Sequence, residues 1–223
     1  MISLFSCRTD IKYSSGILIF SKTVGYRHKS IKTGVEAIRL LGEKHGFMVN
    51  HTENADDFTT KVLENYRAVI FLNTTGNILN NTQQEHFERY IQAGGGWVGI
   101  HSAADTEYKW PWYGKMVGAY FDGHPKIQEA ELIVTNSTHP ATTNLPDRWL
   151  RRDEWYNYKN LSPNVNILLK IDESTYEGGT NGKNHPIAWY HIYDGGRAFY
   201  TGSGHTEEAY SEESFLKHLL AGI

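Results

Sequence analysis

The sequence predicts an α/β fold, a flavodoxin-like doubly wound parallel sheet, from three observations. Between residues 17 and 100, short apolar runs alternate with segments of helical periodicity, the pattern of β-α units whose strands are buried on both faces. Residues 94–105 (GGGWVGIHSAAD) read as a buried strand that stops at a histidine and turns sharply through small residues. Asp194-Gly195-Gly196, between two further apolar runs, marks a late β-hairpin.

Taken in order, residues 17–20 (ILIF) form the first strand, and residues 23–30 (TVGYRHKS) form the loop at its carboxyl end. Ile31, Val35, Ile38 and Leu41 recur at helical spacing until Gly46 ends the helix. Residues 47–52 form a short second strand, residues 57–65 a helix, and residues 68–72 (AVIFL) a third buried strand. Thr82-Gln83-Gln84-Glu85 reads as a capping box opening a helix with Phe87, Tyr90 and Ile91 on its apolar stripe. The fourth strand, at residues 96–100, delivers His101 to the sheet's carboxyl edge, where open α/β sheets place their ligands.

Beyond the turn the pattern changes. Residues 108–121 (YKWPWYGKMVGAYF) form an aromatic-rich insertion. Residues 131–135 and 166–171 read as strands separated by 139–163, a stretch of weak periodicity that predicts a functional loop or lid. Inside it lie Asp153, Glu154, Trp155 and Tyr156. Residues 187–193 and 197–201 form the hairpin, its second strand leads into Gly204-His205-Thr206-Glu207, and Phe215, Leu216, Leu219 and Leu220 form a closing helix.

A chain of 223 residues, 39% hydrophobic and 21% charged, is long enough to bury a large core and too apolar to be disordered. A net charge of −3 without a basic run excludes a nucleic-acid footprint, and no apolar run is long enough for a transmembrane helix. The single cysteine, Cys7, excludes an internal disulfide or a zinc ribbon. Residues 1–15 read as a tail or tether before a domain at 16–223. As written, the chain is expected to be cytoplasmic. Leu4-Phe5-Ser6-Cys7 looks like the end of a lipoprotein signal, which gives a periplasmic or cell-envelope lipoprotein if the start is truncated upstream of Cys7. A homo-oligomer is compatible with the sequence, which carries no mark of one.

His28, His101 and His205 are each expected at a strand's carboxyl end, and such ends converge on one crevice. With Glu154 or Glu207 they form a candidate ligand set for a divalent metal such as zinc, although no pair has the i, i+4 spacing of a helical site. Without a metal, His101 and His205 serve as general base and acid, with Glu207 orienting His205. A carboxylate pair built on Glu154 with Asp153, Asp105 or Glu207 is the alternative acid–base set, of the kind that cleaves acetal bonds. Trp110, Trp112, Tyr113, Trp155 and Tyr156 are candidates for an aromatic wall that stacks on a ligand. His28, Asp105 and His124 complete the expected substrate-binding set. His124, His139 and His185 each precede a proline and read as loop-shaping turns.

Gly99-Ile100-His101-Ser102-Ala103 followed late by His205-Thr206-Glu207 resembles the class I glutamine amidotransferase fold, which places a cysteine in the elbow and a His-x-Glu near its end. His101 stands where that family has its nucleophile, and imidazole cannot form the glutamyl thioester, so the resemblance does not imply a glutaminase. The segments GIHSAAD, WPWYGKMVGAYFDGHP, DEWY and GSGHTEEAY more closely resemble the ThuA (trehalose utilisation) family of that superfamily. That resemblance implies a role in disaccharide or related sugar catabolism, a small-molecule sugar or glycoside as partner, and a functional link to a nicotinamide-dependent sugar oxidoreductase. The reaction expected here is elimination or hydrolysis of a disaccharide or keto-sugar glycoside. A non-catalytic sugar-binding or regulatory module on the same scaffold is the alternative.

Overall fold

The computed structural model describes residues 16–223; the expected tail and its Cys7 lie outside the described residues. In chain order, strand β1 (Gly16–Phe20) leads to helix α1 (Ile31–His45), then β2 (Val49–Thr52), a short α2 (Thr60–Leu63), β3 (Tyr66–Leu72), α3 (Asn81–Gln92) and β4 (Gly96–Ile100). After β4 come α4 (Pro111–Val117), β5 (Tyr120–Phe121), β6 (Gln128–Val134), β7 (Arg148–Asp153) and β8 (Tyr158–Lys159). The chain closes with β9 (Asn166–Ile171), β10 (Pro186–Tyr193), β11 (Gly196–Thr201) and α5 (Glu213–Gly222).

Nine strands form one sheet in the order β2-β1-β3-β4-β11-β10-β9-β6-β7. From β2 to β11 every pairing is parallel; from β11 to β7 every pairing is antiparallel. The central strands are apolar on both faces because helices cover both. On one face Phe71 stacks on Phe87 of α3 at 5.4 Å between ring centroids. Its neighbour Leu72 points to the other face, toward Gly34 of α1, which packs with α5. Register then fixes the site. Leu72, Ile100 and Thr201 lie in one row across β3, β4 and β11, so Asn73, His101 and Gly202 leave the sheet side by side.

The elements expected between residues 17 and 100 are present, with two corrections. The helix expected at 57–65 is a 3-10 turn at Ala55–Asp57 and the four-residue α2. The capping box of α3 is built by Asn80 and Gln83, not by Thr82: the Asn80 side chain accepts from the Gln83 N–H, and the Gln83 side chain accepts from the Asn80 N–H. The hairpin turn has Asp194 and Gly195 both at positive φ, 47° and 94°, between the paired residues Tyr193 and Gly196, the conformation that Asp-Gly favours in a two-residue loop.

The expected loop at 139–163 is corrected: it contains β7 and β8. β7 alternates regularly, but with inverted chemistry: Arg148, Leu150 and Arg152 face solvent while Trp149, Arg151 and Asp153 are buried. A strand that hides an arginine and an aspartate while exposing a leucine gives no apolar alternation in the sequence. The turn after β4 is a short 3-10 helix, His101–Asp105.

Candidate functional site

His101 enters the site through strained backbone. Its φ is 49°, a left-handed conformation that L-residues adopt only where the surroundings enforce it. Two contacts do so here: the Tyr200 hydroxyl donates to the His101 carbonyl at 2.7 Å, and His101 Nδ1 donates to the Gly202 carbonyl at 2.9 Å. A carbonyl can only accept, so Nδ1 carries a proton, and in the neutral ring Nε2 presents its lone pair to the crevice.

That lone pair meets three other groups. His101 Nε2 lies 3.1 Å from His205 Nδ1 and 3.3 Å from Glu154 Oε2. His205 Nδ1 lies 3.0 Å from the same carboxylate oxygen. The His28 ring stands edge-on to both imidazoles, with centroids 5.0 Å from each, and its Nδ1 is 3.4 Å from the Ser102 hydroxyl. One ligating atom from each of His28, His101, Glu154 and His205 falls within 4.8 Å of every other. His124 approaches from the solvent side, its Nδ1 3.1 Å from Glu154 Oε1.

The electrostatics favour an ionised Glu154 and a neutral His28. Burial works against ionisation of Glu154, but the adjacent imidazoles of His101 and His205 outweigh it and hold the carboxyl well below the usual carboxylate range. Burial, reinforced by the neighbouring His101 and His205, pushes His28 down to about 2. Burial raises Asp105, which accepts from the Tyr108 hydroxyl at 2.7 Å.

The structure thus brings together the three histidines and Glu154, and adds Tyr156, whose ring packs 4.1 Å from that of His101. It separates other expected site residues from them. Glu207 is exposed and accepts from Thr33 at 3.0 Å; Glu154 takes the place beside His205 that Glu207 was expected to fill. Trp110, Tyr113 and Trp155 are core residues, tied to Glu88, the Ala103 carbonyl and the Gln128 carbonyl. Trp112 bonds to Asp194 in the hairpin turn, at the opposite end of the sheet. Asp153 is a structural carboxylate with no exposed surface.

Sequence reasoning missed the residues at the mouth. Tyr26, 62% exposed, stands edge-on to His28 at 4.8 Å; Tyr108, 41% exposed, lies beside Asp105; Phe121 packs on Tyr156 at 4.3 Å. Tyr26 could have been found from its place in the loop after β1, two residues before His28. A cavity of about 680 Å³ lies away from this cluster, at the strands' amino ends, between Phe47, Val98, Phe199 and Leu220. It holds no comparable convergence of buried donors, so the cluster is the candidate site.

Comparison with known proteins agrees with this architecture. The solved structure of a ThuA-like protein from Bacteroides uniformis superposes with a TM-score of 0.79 at 25% identity, covering 95% of this chain and 91% of that one. A ThuA-like protein from Parabacteroides merdae gives 0.76 at 21% identity, covering 95% and 88%. A β-galactosidase from Bacillus circulans sp. alkalophilus gives 0.62 at 13% identity over 94% of this chain and 30% of that one, a likeness of fold alone. Among curated proteins none matches the chain. The family described as "ThuA: Trehalose utilisation" matches residues 16–223. The fold is therefore of the amidotransferase-like type, and the chain belongs to the ThuA family.

Proposed function

We propose that this protein is an enzyme of sugar catabolism that cleaves a disaccharide or keto-sugar glycoside, and that His28, His101, Glu154 and His205 hold a divalent metal such as zinc while it does so. The observation that carries the reading is the convergence of three imidazoles and one carboxylate, their ligating atoms within 4.8 Å of one another, at the carboxyl edge of a parallel sheet. N/O donors of this kind suit zinc and other first-row metals, and the Gly202 carbonyl on the far nitrogen of His101 is the partner that a ligating imidazole uses to fix its tautomer. Family membership suggests the trehalose-utilisation context.

A bound divalent metal supplies Lewis acidity toward a substrate carbonyl or hydroxyl. The chain's own groups handle the rest. A carbonyl introduced by a nicotinamide-dependent oxidoreductase acidifies the neighbouring ring C–H. Elimination then moves that proton to a base while the C–O bond to the aglycone breaks and the departing oxygen gains a proton. His101 and His205 carry these protons when their lone pairs are free. When those lone pairs are engaged, Asp105 and His124, at the edge of the cluster, take over. The mouth residues Tyr26 and Tyr108 offer exposed aromatic rings to a pyranose, the role expected of the tryptophans. With His101 in the elbow, the chain is not a glutaminase.

The histidine at the nucleophile position also favours a second reading, a sugar-binding module without turnover. NMR of trehalose and its keto derivative with the purified protein, with and without chelator, separates the two. Cleavage of the keto sugar, lost in His101→Ala and His205→Ala, is expected; binding without any change of either sugar leaves the module.

A further inference from the structure

The buried carboxylate behind the cluster has a role of its own. Asp153 ends β7, has no exposed surface, and spends both oxygens on backbone N–H groups. Its Oδ1 accepts from Glu154 at 3.0 Å, from His205 at 3.2 Å and from Thr206 at 3.4 Å; its Oδ2 accepts from Gly204 at 2.8 Å. Two of these four donors are the backbone amides of cluster residues themselves. The two segments come from distant parts of the chain, and neither is held to the other by a strand pairing. Arg151, packed over Trp149 and Phe215, lies behind, with Nη2 3.5 Å from Asp153 Oδ2 and 3.1 Å from Glu212 Oε2.

Resting on the metal-holding reading above, we propose that Asp153 is the positioning residue of the site, the single group that sets the spacing of Glu154 and His205. A carboxylate with two acceptor oxygens satisfies converging N–H donors from both sides. An amide of the same size cannot: its NH2 must face either Gly204 or the group formed by Glu154, His205 and Thr206. The segment that loses its acceptor moves, and the ligand on it moves too. Charge-assisted bonds from backbone N–H to carboxylate are the strong kind, so the device is stiff where the site needs stiffness. Glu154, its neighbour, is turned into the crevice against His101 and His205, which is how two adjacent acidic residues come to serve two unlike purposes.

The test uses cobalt(II), whose visible spectrum reads ligand geometry, on the full chain. The parent is expected to bind one cobalt(II) and Asp153→Asn to bind it 10- to 100-fold more weakly, with an altered spectrum. A core variant, Leu169→Ala, supplies the control for lost stability alone and is expected to keep the parent's affinity and spectrum at a temperature where all proteins are folded. If Asp153→Asn does not fold, Gly204→Ala carries the test. Gly204 has a φ of +105°, and an added Cβ would come 2.8 Å from the Tyr210 hydroxyl, so the same backbone shifts with every charge kept. An unchanged affinity and spectrum in the variant tested overturns the positioning role and leaves the metal reading intact. A parent that binds neither cobalt(II) nor zinc(II) overturns the metal reading and this inference with it.

Discussion

His218 provides a direct physical test of the fold, far from any chemistry. It lies on α5 with 1% exposure, ringed by Trp149, Phe199 and Phe215. Its Nδ1 donates to the Ala141 carbonyl at 2.7 Å, and its buried Nε2 has no hydrogen-bond partner among the described residues. Burial, helped by the nearby charges of Arg151 and His139, pushes the imidazole down to about 4. The unfolded chain binds this proton near pH 6.5 and the folded chain only near pH 4, so the contribution is fully present above pH 6.5 and is lost as pH falls. Between pH 7.5 and 4.5 the difference amounts to roughly 2–3 kcal/mol. His218→Phe fits the aromatic surroundings and removes the titration, but strips the Ala141 carbonyl of its donor at a cost of ~1–2 kcal/mol. Urea unfolding of both proteins should show the parent more stable at pH 7.5 and the variant equal or better at pH 4.5. If the two curves stay parallel across that range, with a difference constant to within about 0.5 kcal/mol, His218 is not buried as a neutral base and the reasoning fails.

Two further outcomes follow from the placement of the side chains. Glu207→Ala and Trp112→Ala should leave metal and sugar binding within about twofold of the parent, because neither touches the cluster, whereas Glu154→Gln, which removes the charge shared by His101, His205 and His124, should abolish metal binding in calorimetry. Tyr26→Ala should weaken sugar binding several-fold in an NMR titration at unchanged metal content, since one stacked aromatic contributes about 0.5–1.5 kcal/mol.

The parallel half of the fold was legible because its strands are apolar on both faces and its helices carry their stripes at 3.6-residue spacing. The antiparallel half was less so: β7 buries Arg151 and Asp153 and turns Leu150 outward, and its burial is decided by partners distant in sequence. The same distinction separates the site's successes from its errors. His28, His101 and His205 each follow a recognisable strand, so their meeting could be read from topology. Glu154 could be singled out only for its aromatic neighbours, and its pairing with His205 depends on the carboxylate of Asp153, a contact across half the sheet. The tryptophans misled because a large ring signals a core and a sugar platform equally well; Trp155 proved to be the former. Tyr26 went unremarked because it lies in a loop without periodicity.

The origins of the four converging side chains bear on how the protein assembles. His28 follows β1, His101 follows β4, Glu154 follows β7 at the far edge of the sheet, and His205 follows β11. No hairpin, half-sheet or early folding unit contains more than part of the set, so the contacts that define it have very high contact order and form late. A cation or sugar that needs all four recognises only the completed chain and stabilises it by mass action. On the proposed reading, ligand binding doubles as a checkpoint on folding: occupancy would report that the antiparallel extension has docked onto the parallel core, since the crevice exists only once both are in place.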